Sequence, residues 1–158
     1  MKRLTITSFI MFLTAVFSFV SGQDLKLNEL EYFETQGVNV LVYSNQFTGG
    51  FNDEKNAGIE LIHHGVRTVQ GGAVRLSSTP EQWDLVPGMP ARKVDPVSKT
   101  IEVALRYDDF DFDSRVVVTA RGNGIEISVY LDKPVPASLE GSAGFNLEFL
   151  PSQYWNKA

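Results

Sequence analysis

From Thr100 to Leu131 apolar residues fall at every second position, and that period leaves little freedom in what the chain can become. Ile101, Val103, Leu105 and Tyr107 lie on one side of an extended backbone, with Glu102 and Arg106 on the other. The period returns in Phe110, Phe112, Val116 and Val118, and again in Ile125, Ile127, Val129 and Leu131. A helix would scatter these residues around its axis, whereas a strand gathers them on one face that has to be covered. Between the second and third runs, Arg121-Gly122-Asn123-Gly124 supplies a tight turn, with Asn123 and Gly124 suited to the positive φ of a hairpin.

Other segments fit the same plan. Val38 to Tyr43 is apolar apart from Asn39 and predicts a strand covered on both faces or nearly so. Ile59 to Ile62 and Ala73 to Leu76 are short strand-like runs bounded by glycines, with Gly71 and Gly72 as a break between them. Phe145, Leu147 and Phe149 alternate once more near the end. Thr79 to Trp83 suits a single helical turn, since Thr79 can cap it and Pro80 fits the first helical position. Pro87 to Pro96, with Gly88 and Pro90, is the most irregular piece and predicts an exposed connection. Short antiparallel strands at this spacing predict an all-β protein, an antiparallel β-sandwich of immunoglobulin-like or larger size. The likeness of Thr100–Asp108 to Gly124–Asp132 is what two amphipathic strands of one sheet share, and no longer repeat accompanies it.

The first 22 residues stand apart. Lys2 and Arg3 precede an apolar run from Leu4 to Val20, followed by Ser21, Gly22 and polar Gln23, the pattern of a secretory signal peptide cleaved after Gly22. A transmembrane anchor fits less well, because the run is short for about 30 Å of hydrocarbon. Gln23 stands where a bacterial lipid anchor would need cysteine. The expectation is export to a periplasm or the medium, with no membrane attachment after cleavage, and one sandwich domain over residues 23–158. Losing Lys2 and Arg3 takes the formal charge from -5 to -7, and no basic cluster offsets it, which argues against a nucleic-acid partner. Cysteine is absent, so neither a disulfide, a thiol nucleophile nor a thiolate metal site can form.

Candidate chemistry is sparse. Asp108, Asp109, Asp111 and Asp113 lack the turn glycine and later carboxylate of a calcium loop, and their alternation with Phe110 and Phe112 predicts the acidic solvent face of a strand. His63 and His64 are adjacent, so on a strand their side chains point to opposite faces and cannot share a metal. No Gly-x-Ser-x-Gly elbow is present. Glu140 with Glu148, or Asp53 with Glu54, could be named as a hydrolytic pair, yet so could many others, and no catalytic residue, metal ligand or cofactor is assigned. Trp83, Tyr154 and Trp155, with Phe47 and Phe51 beside Gly49-Gly50, are the aromatics available to stack on a sugar or to meet a neighbouring domain.

Three long segments carry a resemblance: YFETQGVNVLVYSNQFTGGFNDEK (32–55), AGIELIHHGVRTVQGGAVRLSSTPEQWDLVP (57–87) and GIEISVYLDKPVPASLEGSAGFNLEFLPSQYW (124–155). Together they resemble the N-terminal β-sandwich region of exported family-nine glycoside hydrolases of Bacteroidota, the cellulase and endoglucanase group. The resemblance implies an accessory domain before an all-helical catalytic barrel, whose inverting aspartate and glutamate would stand about 6.5–9.5 Å apart. No such motif follows in this chain, so no catalytic residue is carried over, and a fragment or truncated product is expected. The expectation is therefore a non-catalytic sandwich that braces a catalytic barrel missing from this chain. Trp83, Tyr154 and Trp155 would serve as its contacts. The alternative is a free-standing carbohydrate-binding module for a β-glucan. An enzyme within this segment would need a concave site with converging carboxylates.

Overall fold

A computed structural model of the chain describes residues 23–48, 53–76 and 87–155. The leader over 1–22, the turn over Thr79–Trp83, and Gly49, Gly50, Phe51 and Trp83 lie outside the described residues. In chain order the strands are β1 (Lys26–Leu27), β2 (Phe33–Thr35), β3 (Val38–Thr48), β4 (Asp53–His63), β5 (Val66–Arg75), β6 (Gly88–Asp95), β7 (Thr100–Tyr107), β8 (Phe112–Arg121), β9 (Gly124–Leu131) and β10 (Gly144–Phe149). One helical turn, α1 (Pro151–Tyr154), follows β10. Among the described residues no helix is long and apolar enough to cross a membrane.

The period of two forms the strands β7, β8, β9 and β10, with Phe110 of the second run left outside them. Along β7 the buried residues are Ile101, Val103, Leu105 and Tyr107, and the register sets Ile101 opposite Val118, Val103 opposite Val116 and Tyr107 opposite Phe112. Directly opposed apolar side chains on one face stabilise such a pair. These strands make an antiparallel sheet in the order β6-β7-β8-β9, and the others make a second in the order β1-β2-β3-β4-β5-β10. The two sheets pack face to face as an all-β sandwich. Phe33, Val40, Val42, Ile59 and Val74 from the six-stranded sheet meet Ile101, Leu105, Phe112, Val116 and Val118 from the four-stranded one in a single apolar cluster.

Polar contacts from Tyr107 and Arg92 help bind the layers. The Tyr107 hydroxyl is buried and donates to the Val74 carbonyl at 2.7 Å. Arg92 of β6 donates from Nε to the Val42 carbonyl at 3.0 Å and from Nη2 to the Glu31 carbonyl at 2.7 Å, while also pairing with the Glu31 carboxylate. On β3, Val40 and Val42 are buried, and Asn39, Leu41 and Tyr43 on the opposite face are half-buried, so the inner face carries the tighter cover.

Four expectations are corrected. The stretch from Pro87 to Pro96 is largely the strand β6 rather than a connection. Its pairing with β7 slips between Gly88 and Ala91, so Pro90, which has no N–H to give, sits in an edge-strand bulge. The β8–β9 hairpin turns on Gly122 and Asn123, with Arg121 paired to Gly124. Gly122 has φ +57° and neither Asn123 nor Gly124 a positive φ, so glycine occupies the first central position, as type II′ demands. Gly71-Gly72 does not break the chain: both residues stand within β5 opposite Leu147 alone, a bulge with Gly71 at φ +69°. Finally, Asp108–Phe110 is a single 3₁₀ turn between β7 and β8 rather than a continuing strand.

Candidate functional site

The β4–β5 hairpin closes on His64 and Gly65, with φ +49° and +77°, the two left-handed residues of a type I′ turn. Histidine is among the few non-glycine residues that favour this conformation, and the neighbouring turn holds it. The His64 backbone N–H donates to the Gly37 carbonyl at 2.7 Å. The imidazole lies directly over Gly37, where an added Cβ would come within 2.5 Å of Cε1. Because His64 is in the turn and not on the strand, it is not on the face opposite His63. The two rings stand 4.4 Å apart, centroid to centroid, tilted by 55°, which corrects the expectation that strand geometry separates them.

Ile59, Leu61 and His63 share the face of β4 that looks into the sandwich. Along it exposure rises from fully buried Ile59 to half-buried Leu61 and exposed His63, so the core surface continues beyond its cover. Val38 and Val66 flank His63 in the register. A second bulge, leaving Thr68 between the pairs Leu61–Val69 and Ile62–Arg67, turns this end of β5.

The C-terminal segment forms the other wall. Phe149 pairs with Val69, the Leu150 N–H donates to the Thr68 carbonyl at 3.0 Å, and Pro151 opens α1 at the position where its missing N–H costs nothing. Tyr154 then packs edge-on against Phe149, with centroids 5.6 Å apart. Between this wall and the His64 turn lies an open groove of about 570 Å³. Its floor and sides are Val38, Leu61, Ile62 and Val66, and its polar groups come from His63, His64, Thr68, Gln153 and Tyr154. Tyr154 is 45% exposed at this wall, and Trp155, the next residue, is 77% exposed.

Of the aromatics singled out in the sequence, the structure therefore brings Tyr154 to a groove and Trp155 to its neighbourhood, while Trp83 lies outside the described residues. Sequence reasoning missed the meeting of His63 and His64 with Tyr154. The His64-Gly65 dipeptide between two apolar runs was the available signal, since a residue followed by glycine can build a type I′ turn.

The aspartate cluster is organised by cations of the chain itself. Arg106 donates to Asp108 at 2.8 Å, Asp111 at 2.9 Å and Asp113 at 2.7 Å, and Lys133 donates to Asp111 at 2.7 Å. The Lys133 hydrogen bond, followed by that of Arg106, holds the Asp111 carboxyl down at about 2. Among the described residues no three of His, Cys, Asp and Glu are grouped to hold a metal ion. Glu148 is taken up on its strand face by Gln70 at 3.1 Å and Arg75 at 3.8 Å. On the outer face of the six-stranded sheet, the Tyr43 hydroxyl donates to Glu60 at 3.1 Å, and Arg67 reaches the same carboxylate at 3.0 Å. Burial first, and the Glu60 charge second, push the Tyr43 phenol up to about 12. No family model, curated protein or solved structure matches the chain.

Proposed function

We propose that the chain is a non-catalytic sandwich module of an exported polysaccharide-degrading glycoside hydrolase, and that the groove beside Tyr154 and Trp155 is where it meets a catalytic barrel. The observation that carries this reading is a groove with an apolar floor, walled by Tyr154, which packs on exposed Phe149 and is followed by exposed Trp155, and lined, among the described residues, by no carboxylate. Large aromatics left in water beside an apolar concavity suit burial against another surface. Hydrolysis of a glycosidic bond would need two carboxyl groups converging on the same space. The immunoglobulin-like character of the sandwich, the cleaved leader and the family-nine resemblance belong to the same reading.

A carbohydrate-binding module is the second reading, favoured by the grouping of the Tyr154 phenol, two imidazoles and the Gln153 amide, since a ring face and convergent polar groups suit a pyranose. The two readings part in one set of measurements on the purified chain. Added to a family-nine catalytic barrel, a bracing module raises the barrel's melting temperature, and Trp155→Ala or Tyr154→Ala removes the effect. Binding to soluble or insoluble β-glucan that disappears in Trp155→Ala would instead establish the sugar site and exclude bracing as the role of this groove. Release of reducing sugar by the chain alone would overturn both.

A further inference from the structure

The edges of the two sheets are treated unequally. An open edge presents unpaired backbone N–H and C=O groups, and proteins blunt such edges with short strands, proline, bulges or charges. Among the described residues, β1 is only two residues long, β6 carries Pro90 inside a bulge, and β10 pairs across the Gly71-Gly72 bulge. The fourth edge, β9, is neither short nor interrupted by a proline or bulge. Its eight residues, GIEISVYL, run in unbroken register with β8 and contain no proline, no bulge and one charge, Glu126.

The hairpin register states which groups that edge offers. A two-residue turn is closed by a hydrogen-bonded pair, here Arg121 and Gly124, and such pairs recur at every second position. Glu126, Ser128 and Tyr130 therefore spend their backbone groups on β8. Ile125, Ile127, Val129 and Leu131 point theirs away from it. The side chains of these four lie on the inner face, yet Val129 is 38% and Leu131 45% exposed, so the core face of β9 loses its cover toward this end.

We propose that β9 pairs antiparallel with β9 of a second copy of this chain, about a two-fold axis at Ser128, joining the two four-stranded sheets into one. The strand is complementary to itself in that register. Ile127 falls opposite Val129 of the second copy and Ile125 opposite Leu131, so the exposed inner-face residues meet the half-buried ones as apolar pairs. On the outer face Glu126 falls opposite Tyr130 rather than another Glu126, and serine meets serine on the axis. The pairs Ile127–Val129 and Ile125–Leu131 use the backbone groups that β8 leaves free. A two-fold contact of this kind closes on itself and stops at a dimer.

The chain has no cysteine, so an introduced thiol reports on this pairing alone. Ser128→Cys places two thiols on the axis in a non-hydrogen-bonded pair, with Cα atoms about 4.5 Å apart, within disulfide range. Under mild oxidation the variant gives a covalent dimer. Glu126→Cys gives none, its two copies being about 13 Å apart along the strands, and Glu126→Cys/Tyr130→Cys restores the cross-link. Val129→Lys converts the unmodified dimer to monomer in sedimentation. The Ser128 and Glu126 variants alter only outward-facing positions, so the cross-linking result stands even where Val129→Lys fails to fold. The proposal is overturned by a wild-type chain that sediments as a monomer at high micromolar concentration. It is equally overturned by Glu126→Cys cross-linking as readily as Ser128→Cys, or by a dimer that survives Val129→Lys.

Discussion

The two sheets contribute to one core but are built by different rules. In the four-stranded sheet β7, β8 and β9 pair residue for residue, every inward position from Ile101 to Tyr107 is apolar and buried, and a slip occurs on the outer strand β6. Among the described residues the six-stranded sheet is interrupted along β5 at Thr68 and at Gly71-Gly72. Each bulge adds twist and re-aims the side chains around it. The groove lies at the first of these interruptions, where the C-terminal segment hydrogen-bonds to Thr68. Regular pairing makes a wall, and departures from it make room for a contact.

If both sheets belong to one cooperative unit, the largest effects should be equal on the two sides of the core. Phe112 of β8 and Phe33 of β2 are both fully buried. Phe112→Ala and Phe33→Ala are each expected to cost about 3–5 kcal/mol in denaturant unfolding, through lost burial and the cavity left behind. A loss below about 1 kcal/mol for Phe33→Ala beside a full loss for Phe112→Ala would break the comparison. It would show that the β1–β2 flank unfolds separately from the regular sheet.

The bulge supplies a sharper test of intermediate size. A Cβ added at Gly72 would lie 2.6 Å from Cβ of Ile59 and 3.0 Å from Cδ1 of Leu147. Ile59 is fully buried and cannot yield. Gly72→Ala is therefore expected to destabilise the protein by about 1–3 kcal/mol through overpacking. Gly144, at the start of β10, has open space where its Cβ would go. Gly144→Ala should change stability by no more than about 0.5 kcal/mol. Equal melting temperatures for the two variants would mean that the bulge is not held as tightly as the contacts of Gly72 require.

The same contrast decides what was legible in the sequence. The strands β7, β8 and β9 could be read because their inward residues, Ser114 apart, are apolar and their outward ones mostly polar, so local pattern and global cover agree. β6 could not, since Gly88 and Pro90 are loop residues everywhere except at an edge bulge. Gly71-Gly72 reads as a stop for a related reason: a glycine pair permits a turn and a bulge equally, and the choice is made by Leu147, far along the chain. Adjacent His63 and His64 read as opposite faces of one strand, whereas His64 belongs to the turn. The groove itself has no local signature, because its second wall is brought to Thr68 by Leu150 folding back.

The smallest effects are electrostatic, and they set one titratable group of each sheet against the other. Tyr43, on the outer face of the six-stranded sheet, is raised to about 12 by burial and then by the charge of Glu60. A phenol in the unfolded chain ionises near 10. The folded state favours the neutral form, so this contribution is fully present below about pH 10 and is lost as pH rises toward 12. Melting temperatures of the wild type should fall through that window more steeply than those of Tyr43→Phe. Asp111, in the turn between β7 and β8, is held at about 2 by the Lys133 hydrogen bond and then by Arg106. A free aspartate titrates near 3.9, so the fold gains above about pH 4 and loses the gain as pH falls toward 2. Asp111 is exposed, and added salt should shrink its contribution, because screened surface pairs contribute little. Lys133→Gln is expected to raise the Asp111 midpoint toward the ordinary carboxylate value in an NMR titration while leaving the Tyr43 midpoint in place. Movement of both midpoints together would show that the two faces titrate as one network, and the independence of the sheets' outer surfaces would have to be abandoned.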